Sequence, residues 1–404
     1  MKQQRVLLID GLRGLSLFGI LLANLLIFQY GIFGKDSISV FSLSPIDTGA
    51  YQFMKIFIEG SFMPIFTFLF GYSMIKMAEG IERKGAKVKR HFVRRFVLLA
   101  AVGLLHSIFL WEGDILFFYG LMGFFLLLLL NRKKKTLLIW GIVLFILTGA
   151  LSYGKVDEVA EDVERMATYI SQTNDVYANG AYTEIMTHRN NEDPLNMDGL
   201  MVAFVLLLAP LTMAPLFLLG MYAARATAFS NPVSEHNRYK IGMAILLPLG
   251  LLMKSVGTLT PENDWTYVLL SMGGPLLALG YICAFAYVYT NFSGSRMMRA
   301  FENVGKLSLT NYLLQTVICT FIFYGYGLGQ FGELGVLNSI LLGLVIFSAQ
   351  CLFSYSYLKY FRRGPIEFIL RMWTNFSWNG RVKAKNKKLS YPHVDNQQPR
   401  LTEK

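Results

Sequence analysis

Ten apolar runs of membrane-crossing length recur along this chain of 404 residues, at approximately 14–33, 52–75, 96–111, 115–130, 136–153, 199–222, 239–258, 266–290, 307–325 and 336–358. Runs of about 18 apolar residues or more read as bilayer spans. Backbone N–H and C=O groups in lipid must be paired within their own segment, so such runs have to be helices. The expected fold class is therefore all-α: a polytopic helical membrane protein with about ten transmembrane helices. Composition agrees, since 54% of the residues are hydrophobic and only 16% charged, against about a quarter charged in soluble domains.

The net charge of +12 does not point to nucleic acid, because the basic residues sit in short segments beside apolar runs. One side of the expected topology holds ERKGAKVKRHFVRR (82–95), NRKKK (131–135), Arg225, Arg238, Lys240, Arg296, Arg299, Lys306 and the C-terminal tail; the other holds only Lys35, Lys155, Arg165 and Arg189 in its loops. An excess of Lys and Arg marks the cytoplasmic side. An even number of spans then puts both termini in the cytoplasm. The first run follows no signal-peptide layout and reads as a retained span.

The chain divides into an N-terminal five-helix half (1–153), an acidic extracytoplasmic loop (154–198), a C-terminal five-helix half ending in an amphipathic tail helix (199–380) and a basic cytoplasmic tail (381–404). Val156, Val159, Val163 and Met166 recur at near-helical spacing, predicting an amphipathic helix over 156–172. In the tail piece FRRGPIEFILRMW, Pro365 suits a helix start, and Arg362, Arg363 and Arg371 suit a helix lying on lipid phosphates.

Polar residues inside apolar runs are costly unless paired or wetted, which makes them the first candidates for function. In LLHSIFLWEGDILFFYG (104–120), His106, Glu112 and Asp114 interrupt an apolar stretch. Gly113 suits a tight turn between two spans, and Asp114 suits the first turn of the second, where its carboxylate meets unpaired N–H groups. His106 is expected about 7–8 Å below that turn, within reach of an outward-opening cavity, with Tyr119 at a similar depth on the neighbouring helix. An imidazole there can take a proton from an incoming hydroxyl, and a nearby carboxylate can orient it. The plainer alternative is an interhelical hydrogen bond for His106, an ordinary helix cap for Asp114 and a solvated Glu112.

Two further groups stand out. In LIDGLRGLSLFGILLANLL (8–26), Asp10 and Arg13 are three residues apart on one helical face at the start of span one, and Asn24 lies in mid-span. Arg13 can bind phosphate from the cytoplasmic side or snorkel to the interface. In VGKLSLTNYLLQT (304–316), Thr310, Asn311 and Gln315 fall on or near one face and could line a polar path. The following Gly-rich loop predicts Tyr324 and Tyr326 at the membrane interface. No metal-ligand spacing, nucleophile elbow or phosphate-binding loop is present. His91, His188, His236 and His393 lie in loops or tails and read as solvated.

The stretches LIDGLRGLSLFGILLANL, RRFVLLAAVGLLHSIFLWEGDILFFYGLMG, LTNYLLQT…YGYGLGQFG and RRGPIEFILR together resemble the YeiB-like family of bacterial integral membrane proteins, whose C-terminal half is a domain of unknown function. The resemblance implies the plasma membrane of a bacterium. The N-terminal half also resembles transmembrane acyltransferases of the heparan-α-glucosaminide acetyltransferase type, through Ile9-Asp10-Gly11-Leu12-Arg13-Gly14. That resemblance implies an acyl-CoA donor on the cytoplasmic side and a sugar or other hydroxylated acceptor on the far side. The working histidine of those enzymes closely follows span one; here none precedes His91, so His106 would take the role from span three.

Three functions are compatible with these residues. The first is acyl transfer to an envelope sugar, lipid or small hydroxylated molecule, with His106 as base, Asp114 as its orienter and Arg13 on the donor phosphates. The second is transport of a small polar solute past Asn24, His106, Asn311 and Gln315. The third is a non-catalytic scaffold whose acidic loop binds a partner. All three place the chain in a lipid bilayer, and none calls for nucleic acid.

Overall fold

The computed structural model describes residues 6–155 and 160–380. Among these residues the secondary structure is entirely helical. In chain order the α-helices are α1 (Leu7–Tyr30), α2 (Pro45–Phe53), α3 (Met63–Glu82), α4 (Val88–Phe109), α5 (Leu116–Leu129), α6 (Lys134–Leu151), α7 (Ala160–Asn179), α8 (Tyr182–Asn191), α9 (Gly199–Arg225), α10 (His236–Leu259), α11 (Thr266–Phe292), α12 (Arg296–Lys306), α13 (Ser308–Phe323), α14 (Val336–Tyr360) and α15 (Pro365–Asn375).

Eight segments among the described residues are long and apolar enough to cross a bilayer, and α2 and α3 form one of them, joined through a π-helical turn at Met54–Ile58. Each of the ten expected runs coincides with a helix, but α5 and α13 have only 14 and 16 residues. At 1.5 Å per residue they reach about 21–24 Å, short of a core about 30 Å thick. The chain is thus a polytopic helical membrane protein in which two short helices lie among full-length neighbours.

The helix ends collect at two faces of the bundle. At the basic face, α15 donates through Trp373 Nε1 to the Arg94 carbonyl at 3.0 Å, and Glu367 accepts from the first-turn amides of α13, Leu309 N at 2.7 Å and Thr310 N at 3.1 Å. The described chain begins and ends at this face, as an even number of crossings requires. The opposite face carries α2, the α4–α5 turn, α7 and α8. Helices from before and after the 154–198 segment interleave: α1 packs on α12, α13 and α14, and α3 packs on α9. Helix α1 is central, with 67% of its apolar window buried.

Small residues set the closest crossings. A Cβ on Gly14 would collide with the Phe301 carbonyl of α12, and one on Gly305 with the Asp10 carbonyl of α1. A Cβ on Gly103 would strike the Phe117 amide nitrogen, and one on Gly120 would meet Ala100. Glycine lets backbones approach where lipid supplies little driving force for association, and at Gly103 the approach brings α5 and its leading carboxylate against α4.

The acidic loop is more structured than expected. The predicted amphipathic helix runs on to Asn179 as α7, and a second helix, α8, follows it; Val156 and Val159 lie outside the described residues, as does the basic tail 381–404. The tail helix α15 forms as predicted, with Pro365 in its first turn. Tyr324 departs from the expected interfacial position: its side chain is fully buried beside Tyr177 and Phe331.

Candidate functional site: a buried aspartate–histidine–threonine chain

Helix α4 ends one turn after His106, whose carbonyl accepts from both Leu110 N at 2.9 Å and Trp111 N at 3.0 Å. The chain then reverses through Gly113. Asp114 caps the next helix as its position predicts, its Oδ2 accepting from Phe117 N at 2.8 Å. This leaves Oδ1 facing back across the hairpin, 2.8 Å from His106 Nδ1. The contact is close but lies off the line of a ring N–H hydrogen bond. The other ring nitrogen, Nε2, lies 3.0 Å from Thr316 Oγ1 on α13. Three groups, from α4, the α4–α5 turn and α13, thus form one chain: carboxylate, imidazole, hydroxyl.

The partners assign the ring's proton. A carboxylate beside Nδ1 favours N–H there, so the neutral ring presents an Nε2 lone pair to Thr316. Tyr312, one turn before Thr316, packs its ring 5.7 Å from that of His106, and its hydroxyl accepts from Ile115 N at 3.4 Å. Thr316 and Tyr312 were not singled out from the sequence. Their signal is a hydroxyl and a phenol one turn apart in an apolar helix; what no local pattern shows is that α13 packs against α4.

An outward-opening cavity at His106 is not found. The ring is 3% exposed and is enclosed by Asp114, Thr316 and Tyr312, beneath Trp111, which is itself 0% exposed and stacks on Phe28 at 4.1 Å. The expectation failed because α7 and α8, in the stretch expected to be one loop with a single helix, fold over the α4–α5 turn. Arg189 of α8 donates to the carbonyls of Ile108 at 2.7 Å and Leu110 at 3.1 Å, meeting the negative end of the α4 dipole. Tyr182 donates to the Phe109 carbonyl at 2.7 Å. Glu112, expected to be solvated, lies under the same cover, accepting from Tyr177 Oη at 3.2 Å with Arg189 4.0 Å away. Burial raises its carboxyl above the usual range, against the opposing pull of Arg189 and Tyr177.

The remaining candidates separate into other groups. Tyr119 does not face His106: it is fully buried, its hydroxyl 2.9 Å from Thr67 Oγ1, among Phe66, Phe70 and Phe217. Thr310, Asn311 and Gln315 do not share a path. Thr310 Oγ1 donates to Glu367 at 2.6 Å, Asn311 Nδ2 to Ser354 at 3.0 Å and Gln315 Nε2 to Gln350 at 2.9 Å, fastening α13 to α15 and α14. Asp10 and Arg13 pair at 2.9 Å as their spacing predicts, and Arg13 also donates to Ser73 of α3 at 2.5 Å. Asn24 is half-buried in mid-span with no hydrogen-bond partner among the described residues. Arg13 and Asn24 are eleven residues apart, about three turns, which places them on one face of α1. The histidines expected in loops lie in helices: His91 is in α4 against Phe92, His188 in α8 meets Thr173 at 2.8 Å and His236 opens α10 and meets Thr290 at 2.7 Å, while His393 lies outside the described residues.

The family described as "Protein of unknown function (DUF418)" matches residues 223–377. The chain is 31% identical to "Uncharacterized protein YxaH" of Bacillus subtilis (strain 168), over 93% of this chain and 95% of that one. It is 27% identical to "Uncharacterized protein YeiB" of Escherichia coli (strain K12), over 92% of this chain and 96% of that one. It is 24% identical to the "Uncharacterized 39.9 kDa protein in amylase 3'region" of Bacillus acidopullulyticus, over 92% of this chain and 94% of that one. No solved structure matches. With so much of its length aligned to these relatives, the chain belongs to the YeiB-like family of integral membrane proteins.

Proposed function

We propose that this protein is a membrane-embedded acyltransferase of the bacterial plasma membrane, passing an acyl group from a cytoplasmic acyl-CoA to a hydroxylated envelope sugar, lipid or small molecule. The observation that carries this reading is the chain from Asp114 through His106 to Thr316, in which Nε2 is turned to a hydroxyl and Nδ1 to a carboxylate. A neutral imidazole held in that way can take a proton from a hydroxyl, and Asp114 stabilises the imidazolium that results. His106 is the general base and Asp114 its positioning residue.

The donor would enter at the basic face, where Arg13 can contact phosphate as the always-charged guanidinium suits. Arg13 and Phe28 are fifteen residues apart on α1, a rise of about 22 Å, and Phe28 stacks on Trp111, whose backbone N–H donates to the His106 carbonyl. An extended thioester arm along α1 spans that distance, and Asn24, unpartnered on the face of Arg13, lies along the way. The acceptor's route passes the α7–α8 cover.

The test is donor binding and turnover by the purified protein in detergent, with acyl-CoAs of increasing chain length. Saturable binding and release of free CoA thiol are expected, with binding lost in Arg13→Ala. Absence of both across the series overturns the reading.

A further inference from the structure

Thr316 does not make the back-bond that many helical threonines of this fold make; Thr173, which meets His188 Nε2 at 2.8 Å, is another that does not. Thr67, Thr148, Thr168, Thr260 and Thr374 each donate their hydroxyl to the carbonyl four residues earlier, at 3.1, 2.8, 2.9, 2.7 and 2.5 Å. That back-bond is the ordinary resting place of a helical threonine. Thr316 makes none; among the described residues its hydrogen-bond partner is His106 Nε2 alone. Its side chain is 1% exposed, so the hydroxyl is not turned aside to meet water. A hydroxyl that leaves its own helix for the free lone pair of an imidazole, backed by a carboxylate, has the arrangement of an activated nucleophile.

We infer that Thr316 carries the acyl group as a covalent ester between donor and acceptor, an inference that rests on the acyl-transfer reading above. In the first half, His106 Nε2 takes the Thr316 proton as Oγ1 attacks the thioester carbonyl carbon. The C–S bond breaks, and the departing CoA sulfur takes that proton from Nε2. In the second half, His106 removes the proton of the acceptor hydroxyl, whose oxygen attacks the ester carbonyl. The bond to Thr316 Oγ1 breaks, and Oγ1 recovers the proton. No oxidant, metal or further reactant is needed. The arrangement suits a site between two faces, since donor and acceptor need never meet.

The experiment incubates the full-length purified protein with acetyl-CoA and, in parallel, palmitoyl-CoA. Thiol release is followed in time, and the acid-quenched protein is mapped by peptide mass spectrometry. A burst of thiol approaching one per protein, with one acyl group on Thr316, is expected. Thr316→Ser should keep both, and the near-isosteric Thr316→Val should lose both while holding its melting temperature. If wild type releases thiol in a manner abolished by His106→Gln but unchanged in Thr316→Val, the covalent step is overturned and direct transfer stands. If wild type binds both donors saturably but releases no thiol in the absence of acceptor, the covalent step alone is overturned; if it binds neither donor and releases no thiol, the acyl-transfer reading falls and takes the covalent step with it.

Discussion

Two sets of buried polar side chains face the same helix, α13, and they are built in opposite ways. Towards α14, Gln315 donates to Gln350, Gln350 donates back to the Asn311 carbonyl at 2.9 Å, and Asn311 donates to Ser354. Each of these bonds is neutral and amide-based, and together they run along the α13–α14 contact, with Asn311 Oδ1 left without a hydrogen-bond partner among the described residues. Towards α4, the chain runs from a carboxylate through an imidazole to a hydroxyl that has given up its intrahelical bond. The first set fixes helix positions through neutral amide bonds. The second holds a titratable ring between a charge and a nucleophile-type oxygen, which is more than packing requires. Intramembrane polarity alone therefore does not mark function; what matters is whether the hydrogen bonds end on each other or on a group that can react.

Substitutions can break this contrast. Asp114→Ala should have the largest effect, because it removes the α5 cap and the charge beside a fully buried imidazole. Loss of the cap costs about 0.5–2 kcal/mol and the buried ring nitrogen left without its neighbour about 1–3 kcal/mol, read as a lowered melting temperature in detergent, and no thiol release should survive. Arg189→Ala comes next. It frees two carbonyls at the end of α4 from charge-assisted bonds worth about 1.5–3 kcal/mol each, and hydrogen exchange at Leu110 and Trp111 should accelerate while the α13–α14 contacts stay protected. Replacing both amides of the other set, Gln315→Leu with Gln350→Leu, should cost about 1 kcal/mol or less, since membrane interhelical hydrogen bonds average about 0.6 kcal/mol. Turnover should be retained; its loss would erase the distinction between the two sets.

The smallest effect sharpens the role of the cover. Glu112 has its folded-state carboxyl raised by burial, so the fold holds more protons there than the unfolded chain does. Its protonated form is favoured by the fold, and this contribution fades as pH rises from the ordinary value of 4.5 towards the raised one. The α7–α8 cover should accordingly loosen slightly as pH rises through that window, seen as faster exchange at Leu110. Glu112→Gln should flatten the dependence.

How much was legible in the sequence follows the range of the interactions. The spans were readable because lipid leaves helices as the only way to pair the backbone. The turn Trp111-Glu112-Gly113-Asp114 and the facing of His106 with Asp114 were readable because one hairpin contains both. Thr316 was not, since it lies 210 residues from His106 and only the docking of α13 on α4 brings them together. The cover is not legible because α8, TEIMTHRNN after Tyr182, is mostly polar and carries little apolar periodicity beyond Ile185 and Met186. That omission is also why Glu112 was expected in water and His106 in an open cavity. Thr310, Asn311 and Gln315 were correctly seen as costly in a span, but their partners Glu367, Ser354 and Gln350 lie on α15 and α14, beyond any local reading.

The most direct measurement is acyl-CoA thiol release by the protein reconstituted in lipid, comparing wild type with His106→Gln, whose amide keeps a polar group against Thr316 but cannot take up a proton. Loss of release to background with unchanged donor binding and an unchanged melting temperature is expected. Release at the wild-type rate in His106→Gln would contradict the assignment of a base to this histidine, and would return the buried chain to the same structural role as the amides of α13 and α14.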